Sequence, residues 1–296
     1  MRTLLAAVLT ILGLQDPRPW QIVFRTYTEG DIVKTKSAMA DGSGVIRDAV
    51  FGAPSFGQSP NGKRRVYEIR QDGGCIICIC DADGQNEVKL TDHKTINSSP
   101  SWTADSKRIV FASNRTGKTQ IWIMDADGKN PQKLTDHADG AEQPQVSPAG
   151  DRIAYMELHQ ERSKLPPCTL RTMDLAGGDS KVLIEKTQMQ GHAWSPKGDR
   201  IACSLVQELR ILEVPSGKTV KSFKFEDVHK DLYAHAAYGM IWRPDGGAIA
   251  CSINFLGGRM EGAKDFGDDK IFVLPFEGKA AVIEAGASAW PVRWFR

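Results

Sequence analysis

The sequence lacks an excess of charge of either sign. Its 38 Lys and Arg residues are balanced by 36 Asp and Glu residues, which leaves a formal net charge of +2 over 296 residues. A nucleic-acid surface needs a clustered basic excess, and the chain has neither a basic run nor basic residues interleaved with aromatic ones. The composition therefore predicts that nucleic acid is not a partner.

Long hydrophobic runs are also missing. The longest one, LLAAVLTILGL from Leu4 to Leu14, follows Arg2 and is too short to span a bilayer, which takes about 20 residues. Its length suits the hydrophobic region of a secretory signal. We interpret residues 1–15 as a signal peptide and expect a bacterial protein that is periplasmic or secreted after its removal, with no membrane span. Because Gly13 is the only small residue near the junction, the alternatives are an uncleaved apolar leader or a strand packed on the body of the protein.

The motifs of common enzymes and cofactor sites are missing as well. The chain has no G-x-S-x-G nucleophile elbow, no phosphate-binding glycine loop that opens a helix, and no long segment of helical period. The two DADG segments at 81–84 and 125–128 resemble the start of a calcium loop but lack its later carboxylates. Hairpin turns explain these segments more simply. The sequence predicts no cofactor and no metal.

Six cysteines are present, at positions 75, 78, 80, 168, 203 and 251. Cys203 and Cys251 occupy matching places in the segments IACSL and IACSI, while Cys78 and Cys80 alternate with isoleucines. No second pair lies at a spacing that would complete a zinc site. Free cysteine is a good small core residue, so we predict six unpaired thiols.

A repeat organises the rest of the chain. ICICDADGQNEVKLTDH at 77–93 recurs 44 residues later as IWIMDADGKNPQKLTDH at 121–137. An anchor residue precedes each such segment. A proline follows two positions after the anchor, a glycine four positions after it, and then an apolar triplet, as in WSPKGDRIAC at 194–203. The anchors are Gln58, Trp102, Val146, Trp194, Trp242 and Trp294.

Each repeat reads as four short strands, which we label A to D. The anchor lies on strand A, the apolar triplet forms strand B, and Asp-Gly pairs after strand C predict a hairpin to strand D. Such a sheet buries its two apolar faces only by packing between neighbours. We predict an all-β, six-bladed β-propeller at 16–296, as one domain and a monomer. The C-terminal strand (292–295) joins the N-terminal strands (21–47), and Trp102, Trp194, Trp242 and Trp294 are its structural anchors between blades.

The repeat resembles that of the TolB-type propeller family, which is also called WD40-like or PD40. The resemblance rests on W-S-P-x-G, Ile-Ala, I-x-x-M-D-x-x-G and Leu-Thr, and it covers essentially the whole chain after the leader. It implies a propeller that binds a protein, because bacterial TolB is periplasmic and binds a peptidoglycan-associated lipoprotein through this domain. The small α/β domain that precedes the propeller of TolB is not expected here, because the first strand starts by residue 21.

The histidines gather on one predicted face. His159 falls in a B–C hairpin, and we place the other five in D–A connections, at positions 93, 137, 192, 229 and 235. The longest insertions lie on this face too, and loops on a rigid scaffold are where binding sites accumulate. The candidate binding residues are His192, His235, His93, His137, Arg259 and Asp265.

Three functions remain open at this stage. The leading hypothesis is a non-catalytic exported propeller that presents the D–A/B–C loop face and its channel mouth to a protein or peptide. The second is a metal-dependent enzyme acting on carbohydrate, similar to the polysaccharide lyases among TolB-like propellers, with His192 and His235 as metal ligands. The third is a structural scaffold in an envelope assembly. No catalytic residue is assigned in the leading hypothesis.

Overall fold

The computed structural model describes the backbone of residues 21–27, 34–39, 47–48, 57–161, 166–228, 235–255, 270–284 and 288–295. Side chains are described at 57–161, 166–228, 236–253 and 271–283. The predicted signal peptide, Arg259, Asp265 and the side chains of His235 and Trp294 lie outside these ranges.

Almost all regular structure in the described ranges is β-strand, as the repeat predicts. The elements are β1 (Gln21–Tyr27), β2 (Lys34–Met39), β3 (Arg47–Asp48), β4 (Gly57–Gln58), β5 (Arg64–Gln71), β6 (Gly74–Asp81), β7 (Val88–Lys89), β8 (Asn97–Trp102), β9 (Arg108–Ser113), β10 (Gln120–Asp125), β11 (Gln132–Lys133), β12 (Ala141–Val146), β13 (Arg152–Leu158), β14 (Cys168–Asp174), β15 (Lys181–Thr187), β16 (Met189–Trp194), β17 (Arg200–Leu205), β18 (Glu208–Glu213), β19 (Thr219–Lys224), α1 (Phe225–Val228), β20 (His235–Trp242), β21 (Ala248–Phe255), β22 (Lys270–Pro275), β23 (Ala281–Glu284) and β24 (Ser288–Phe295).

Five blades follow one another along the chain. They are the antiparallel sheets β4–β7, β8–β11, β12–β15, β16–β19 and β20–β23, which we number 1 to 5. Each has its strands in sequence order from A to D, and strands A of adjacent blades contact each other, so these strands lie innermost. The chain is therefore an all-β propeller with four-stranded antiparallel blades.

The prediction of six blades is wrong, since the structure shows five blades. The remaining four strands form a terminal sheet in the order β24-β1-β2-β3, and the structure describes only its backbone. Its sequence differs from that of a blade. Strand β2 reads KTKSAM, with two lysines in six residues, where strand C of blade 2 reads QIWIMD and is buried at five of six positions. The sequence of β2 thus lacks the apolar pattern of a strand covered on both faces.

The terminal sheet joins the two ends of the chain as the repeat predicts. Strand β24 pairs antiparallel with β1, and the register places Ile22 opposite Trp294 and Val23 opposite Arg293. The register shifts once, between Val23 and Phe24. On its other side β24 contacts strands of blade 5. The C-terminal strand is therefore held by pairing to the N-terminal strand and by packing on the last blade.

Tryptophans tie the blades together near the axis. Trp102, Trp194 and Trp242 are each at least nine-tenths buried in an apolar cluster drawn from two neighbouring blades. Each indole also donates a hydrogen bond to strand A of the preceding blade. The acceptors are the carbonyls of Gly57 for Trp102 (2.8 Å), Gln145 for Trp194 (3.0 Å) and Ala193 for Trp242 (3.0 Å). One side chain thus supplies both packing and a polar link between blades.

Blade 3 has valine at the anchor and uses a different link. The Val146 backbone N–H donates to the Ser101 hydroxyl of blade 2 at 3.1 Å. Val146 itself packs at the edge of the cluster between blades 2 and 3, around Ile153 and Tyr155. A polar link between strands A is therefore kept where the indole is missing.

All six cysteines are buried and unpaired, as predicted. Cys203 and Cys251 lie in strand B of blades 4 and 5 and are completely buried within the clusters between blades. They act as small core residues.

Candidate functional site

Two clefts flank the B–C hairpin of blade 2, which spans 114–119. Both include residues of the D–A connections or B–C hairpins, on the face where the sequence places its candidate residues, and the first also extends to Gly128 in the C–D turn of blade 2. The first has a volume of about 290 Å³ and lies between blades 1 and 2, lined by Leu90, Thr91, Asp92, Thr95, Arg115, Met124 and Gly128. The second measures about 310 Å³ and is lined by Thr116, Lys118, Gln120, Lys133, Asp136, His137 and Ala138.

Arg115 is the charged centre of the first cleft. Its guanidinium carbon lies 5.0 Å from the centroid of the Phe111 ring and 4.9 Å from that of the Trp122 ring. Its Nε donates to the Ser113 hydroxyl at 3.0 Å. Burial lowers the pKa of the guanidinium, and the nearby Asp92 carboxylate opposes that shift in part. Arginine nevertheless stays protonated in proteins, so the cleft holds a partly desolvated cation.

Asn97, the first residue of β8, forms hydrogen bonds to residues of both blades that border the first cleft. It is completely buried, and its Oδ1 accepts hydrogen bonds from the Ser113 hydroxyl (2.8 Å) and from Arg115 Nη2 (3.1 Å). Its Nδ2 donates to the Cys75 carbonyl at 2.9 Å and reaches the Thr95 carbonyl at 3.3 Å. One amide thus connects the D–A loop of blade 1 to the arginine of blade 2.

Replacing Asn97 by alanine is expected to destabilise the protein by about 1–3 kcal/mol, because it removes the acceptor of the buried Ser113 hydroxyl and the donor to the Cys75 carbonyl. Urea unfolding followed by circular dichroism measures this loss. Ser98→Ala is the matched control, since it trims a half-buried neighbour on the same strand. If the two variants were equally stable, the amide would not hold the loop.

The second cleft is bounded by His137, whose ring reaches across to blade 3. Its Nδ1 lies 3.2 Å from Glu157 Oε1, and its Nε2 lies 3.1 Å from the Tyr155 hydroxyl. A neutral ring with the proton on Nδ1 donates to the carboxylate and accepts from the hydroxyl. Burial lowers the pKa of His137, although the Glu157 charge opposes this shift. The histidine is therefore held in one orientation.

Glu157 is fixed from its other side by arginine. Arg171 Nε donates to Glu157 Oε2 at 2.5 Å. Burial alone would raise the pKa of Glu157, but the hydrogen bond from Arg171, the charge of Arg171 and that of His137 when its ring is protonated bring it below its usual value. The carboxylate already has two partners, which makes this cluster a structural junction between blades 2 and 3.

The structure separates the predicted site residues rather than gathering them. His93 is exposed in the D–A loop of blade 1, and His137 occupies the corresponding place in blade 2. His192 lies within strand β16, not in the loop where the sequence analysis placed it, and only 3% of it is exposed. His235 begins β20, and its side chain lies outside the described residues, as do Arg259 and Asp265.

Burial determines the hydrogen bonding and the protonation state of His192. Neither ring nitrogen has a hydrogen-bond partner among the described residues. Desolvation lowers its pKa to about 4, and the nearby backbone of Ala154 offsets only part of this shift. The ring is neutral at physiological pH and packed between blades 3 and 4.

Within the described residues, no three His, Cys, Asp or Glu side chains are arranged to hold a metal ion. No described helix has the length and apolarity needed to cross a bilayer.

Sequence reasoning missed Arg115 and Asn97. Arg115 follows strand B in the segment SNRTGKTQ, where an arginine reads as an ordinary solvated hairpin residue. Asn97 is the first residue of strand NSSPSW, and the corresponding residue of blade 3 is Ala141. The signal available in the sequence was the polar Asn97 at a position where the repeat of blade 3 has an apolar residue.

Four-stranded blades joined by buried tryptophans define a β-propeller. Residues 34–214 match the family model PD40, described as the TolB beta propeller domain. The match covers more than half of the chain, which therefore belongs to this family. The resemblance inferred from the repeat is confirmed.

Several solved structures are similar. The TolB of Acinetobacter baumannii has a TM-score of 0.54 at 17% identity, covering 97% of this chain and 70% of that one. A chain of the nidogen/laminin complex has a TM-score of 0.59 at 9% identity, with 92% and 96% covered. A TolB-type protein from Agrobacterium tumefaciens is 27% identical with a TM-score of 0.44, and this chain covers 60% of its length while 55% of this chain is covered. No curated protein matches the sequence.

Proposed function

We propose that this chain is an exported binding propeller of the bacterial cell envelope, whose D–A/B–C loop face receives a protein or peptide segment. The single observation that carries the proposal is the pair of clefts on either side of the blade 2 hairpin, in a chain that belongs to the TolB propeller family. Clefts of about 300 Å³ and more are typical of binding sites.

The location in the envelope rests on two further observations. The apolar run Leu4 to Leu14 suits a secretory signal, and TolB relatives are proteins of the bacterial envelope. The propeller itself, residues 16–296, would then fold as one domain after export.

The composition of the hairpin supports a peptide partner. Thr116 and Lys118 are exposed at its tip, and Arg115 and Gln120 line the two clefts at its base. Exposed hydrogen-bonding groups on a rigid scaffold bind extended segments through main-chain and side-chain contacts. The His137–Glu157–Arg171 cluster keeps the second cleft in shape.

Photo-crosslinking in cells tests the face and the location together. A benzophenone-bearing phenylalanine analogue at Thr116 should give discrete higher-mass adducts, because that side chain stands between the clefts. The same analogue at Lys107, on the opposite turn of blade 2, should give none. Osmotic shock should release the Thr116 adducts with the periplasmic contents.

Two results would count against the proposal. Adducts from Lys107 alone would move the binding surface to the other face. Adducts retained with the cytoplasm after osmotic shock would remove export while leaving the binding surface in place.

A further inference from the structure

We propose that the cleft between blades 1 and 2 binds the C-terminal carboxylate of a peptide, with Arg115 as the residue that holds it. The inference rests on the proposed function, because it specifies the chemistry of the partner segment. It depends on the hydrogen bonds of Arg115, on the charges around the cleft and on the residues that line it.

The guanidinium has donors left over. It carries five N–H groups, and two hydrogen bonds to side chains are present, from Nε to Ser113 and from Nη2 to Asn97. Three N–H groups, on Nη1 and Nη2, have no acceptor among the described residues. These two nitrogens form the fork that binds a carboxylate through two parallel hydrogen bonds.

The fork is held in place before any ligand arrives. The guanidinium lies over the Phe111 and Trp122 rings, and hydrogen bonds to Ser113 and Asn97 hold Nε and Nη2. A side chain that is already ordered loses little conformational freedom on binding. Arginine is better suited to this role than lysine because its donors are planar and rigid.

The charge of Arg115 is incompletely balanced. No carboxylate lies within 4.0 Å of it in the described part of the chain, whereas Arg152, Arg171 and Arg210 each have such a partner. The nearest charge that acts on Arg115 is Asp92, on the same cleft. A partly desolvated cation with an open fork is stabilised when an anion binds.

Asp92 selects the kind of anion. Its Oδ1 accepts the Lys94 backbone N–H at 3.0 Å, and Asp92 is the one carboxylate among the described residues that line the cleft. A segment rich in Asp and Glu would be repelled by this carboxylate. A peptide C-terminus carries one carboxylate beside its own amide N–H, so it can satisfy Arg115 and Asp92 together. Leu90 and Met124 provide an apolar wall for the terminal side chain.

The test uses two pools of fluorescent hexapeptides of random sequence, one with a free C-terminal carboxylate and one with a C-terminal amide. Binding to the full-length protein is measured by fluorescence anisotropy at low salt. The free-acid pool should bind at least about tenfold more tightly than the amide pool, as expected for a hydrogen-bonded charge pair. This comparison uses the wild-type protein and needs no variant.

Variants then assign the effect to Arg115. Arg115→Gln should abolish the difference between the pools. Arg115→Lys, which keeps the charge but loses the fork, should retain only part of it. Arg108→Gln, at the other end of strand B beside the A–B turn, is the matched control and should behave like the wild type. Thermal unfolding of each variant verifies that it is folded.

Each remaining outcome overturns the inference. Equal binding of both pools would exclude recognition of a terminal carboxylate. A preference that survives Arg115→Gln would place the carboxylate elsewhere. Binding of an amidated, glutamate-enriched pool that depends on Arg115 would assign the site to acidic side chains instead. In all three cases, discrete adducts from Thr116 would leave the proposed function intact.

Discussion

Replacing Trp242 by alanine is expected to lower the free energy of unfolding by about 3–5 kcal/mol, the usual loss for a buried tryptophan. The indole fills the space between blades 4 and 5, where it packs with Ile249, Leu274 and the Phe276 ring, whose centroid lies 5.6 Å away. Its removal leaves a cavity and also frees the Ala193 carbonyl that it satisfies. Denaturant unfolding followed by fluorescence of the remaining tryptophans measures the change.

Phenylalanine variants separate packing from hydrogen bonding. Trp242→Phe keeps most of the ring but leaves the Ala193 carbonyl unpaired, so it should destabilise by about 1–3 kcal/mol. Trp122 is the matched control, because it is similarly buried (8% exposed, against 9% for Trp242) while its Nε1 has no hydrogen-bond partner among the described residues. Trp122→Phe removes an unsatisfied donor and should change stability by less than about 1 kcal/mol. Equal losses in the two variants would show that the interblade hydrogen bond contributes nothing.

Lowering the pH from 8 to 4.5 is expected to remove about 2–3 kcal/mol of stability through His192 alone. Burial depresses the folded-state pKa to about 4, whereas the unfolded chain titrates near the ordinary value of 6.5. Between these values the unfolded state binds the extra proton, so stability is fully present above pH 6.5 and is lost progressively as the pH falls towards 4. Unfolding free energies in urea across this range give the curve.

His192→Gln isolates that contribution. The glutamine variant has no titrating group at this position, so its stability should fall less between pH 8 and 4.5. The depressed pKa of His137 affects both proteins alike and cancels in the difference. Parallel curves for the two proteins would mean that His192 is solvated in the folded state and does not sit between the blades.

The repeat predicts most of the fold because the sequence of each blade contains the signals for its own four strands. Anchor, Pro-Gly turn, apolar triplet and Asp-Gly hairpin recur in a fixed order, and tertiary packing only has to stack what each segment already favours. The prediction was wrong where the pattern weakens. Residues 21–47 were predicted to supply the other strands of a sixth blade, although KTKSAM at β2 lacks the apolar residues that QIWIMD buries between two blades.

The candidate site was much less predictable. Histidines were favoured because of their chemistry, yet His192 is buried by its position in a strand, and the offset of 44 residues between His93 and His137 reflects the repeat. The role proposed for Arg115 depends on its contacts with Asn97 and Trp122, which lie 18 positions before it and 7 after it in the sequence. Contacts between blades decide which polar residue is open to a ligand, and the sequence of one repeat does not encode them.

The burial of the six thiols would matter for a chain that folds after export to an oxidising compartment. Burial raises the pKa of Cys78 to about 11 and that of Cys251 to about 12, so little of the reactive thiolate forms at these two positions in the folded protein. In an oxidising compartment these two thiols would therefore take part in disulfide exchange only slowly. The unfolded chain, in contrast, exposes all six sulfurs. Folding and oxidation then compete in time, and a chain that closes its blades quickly escapes cross-links that would keep them from closing.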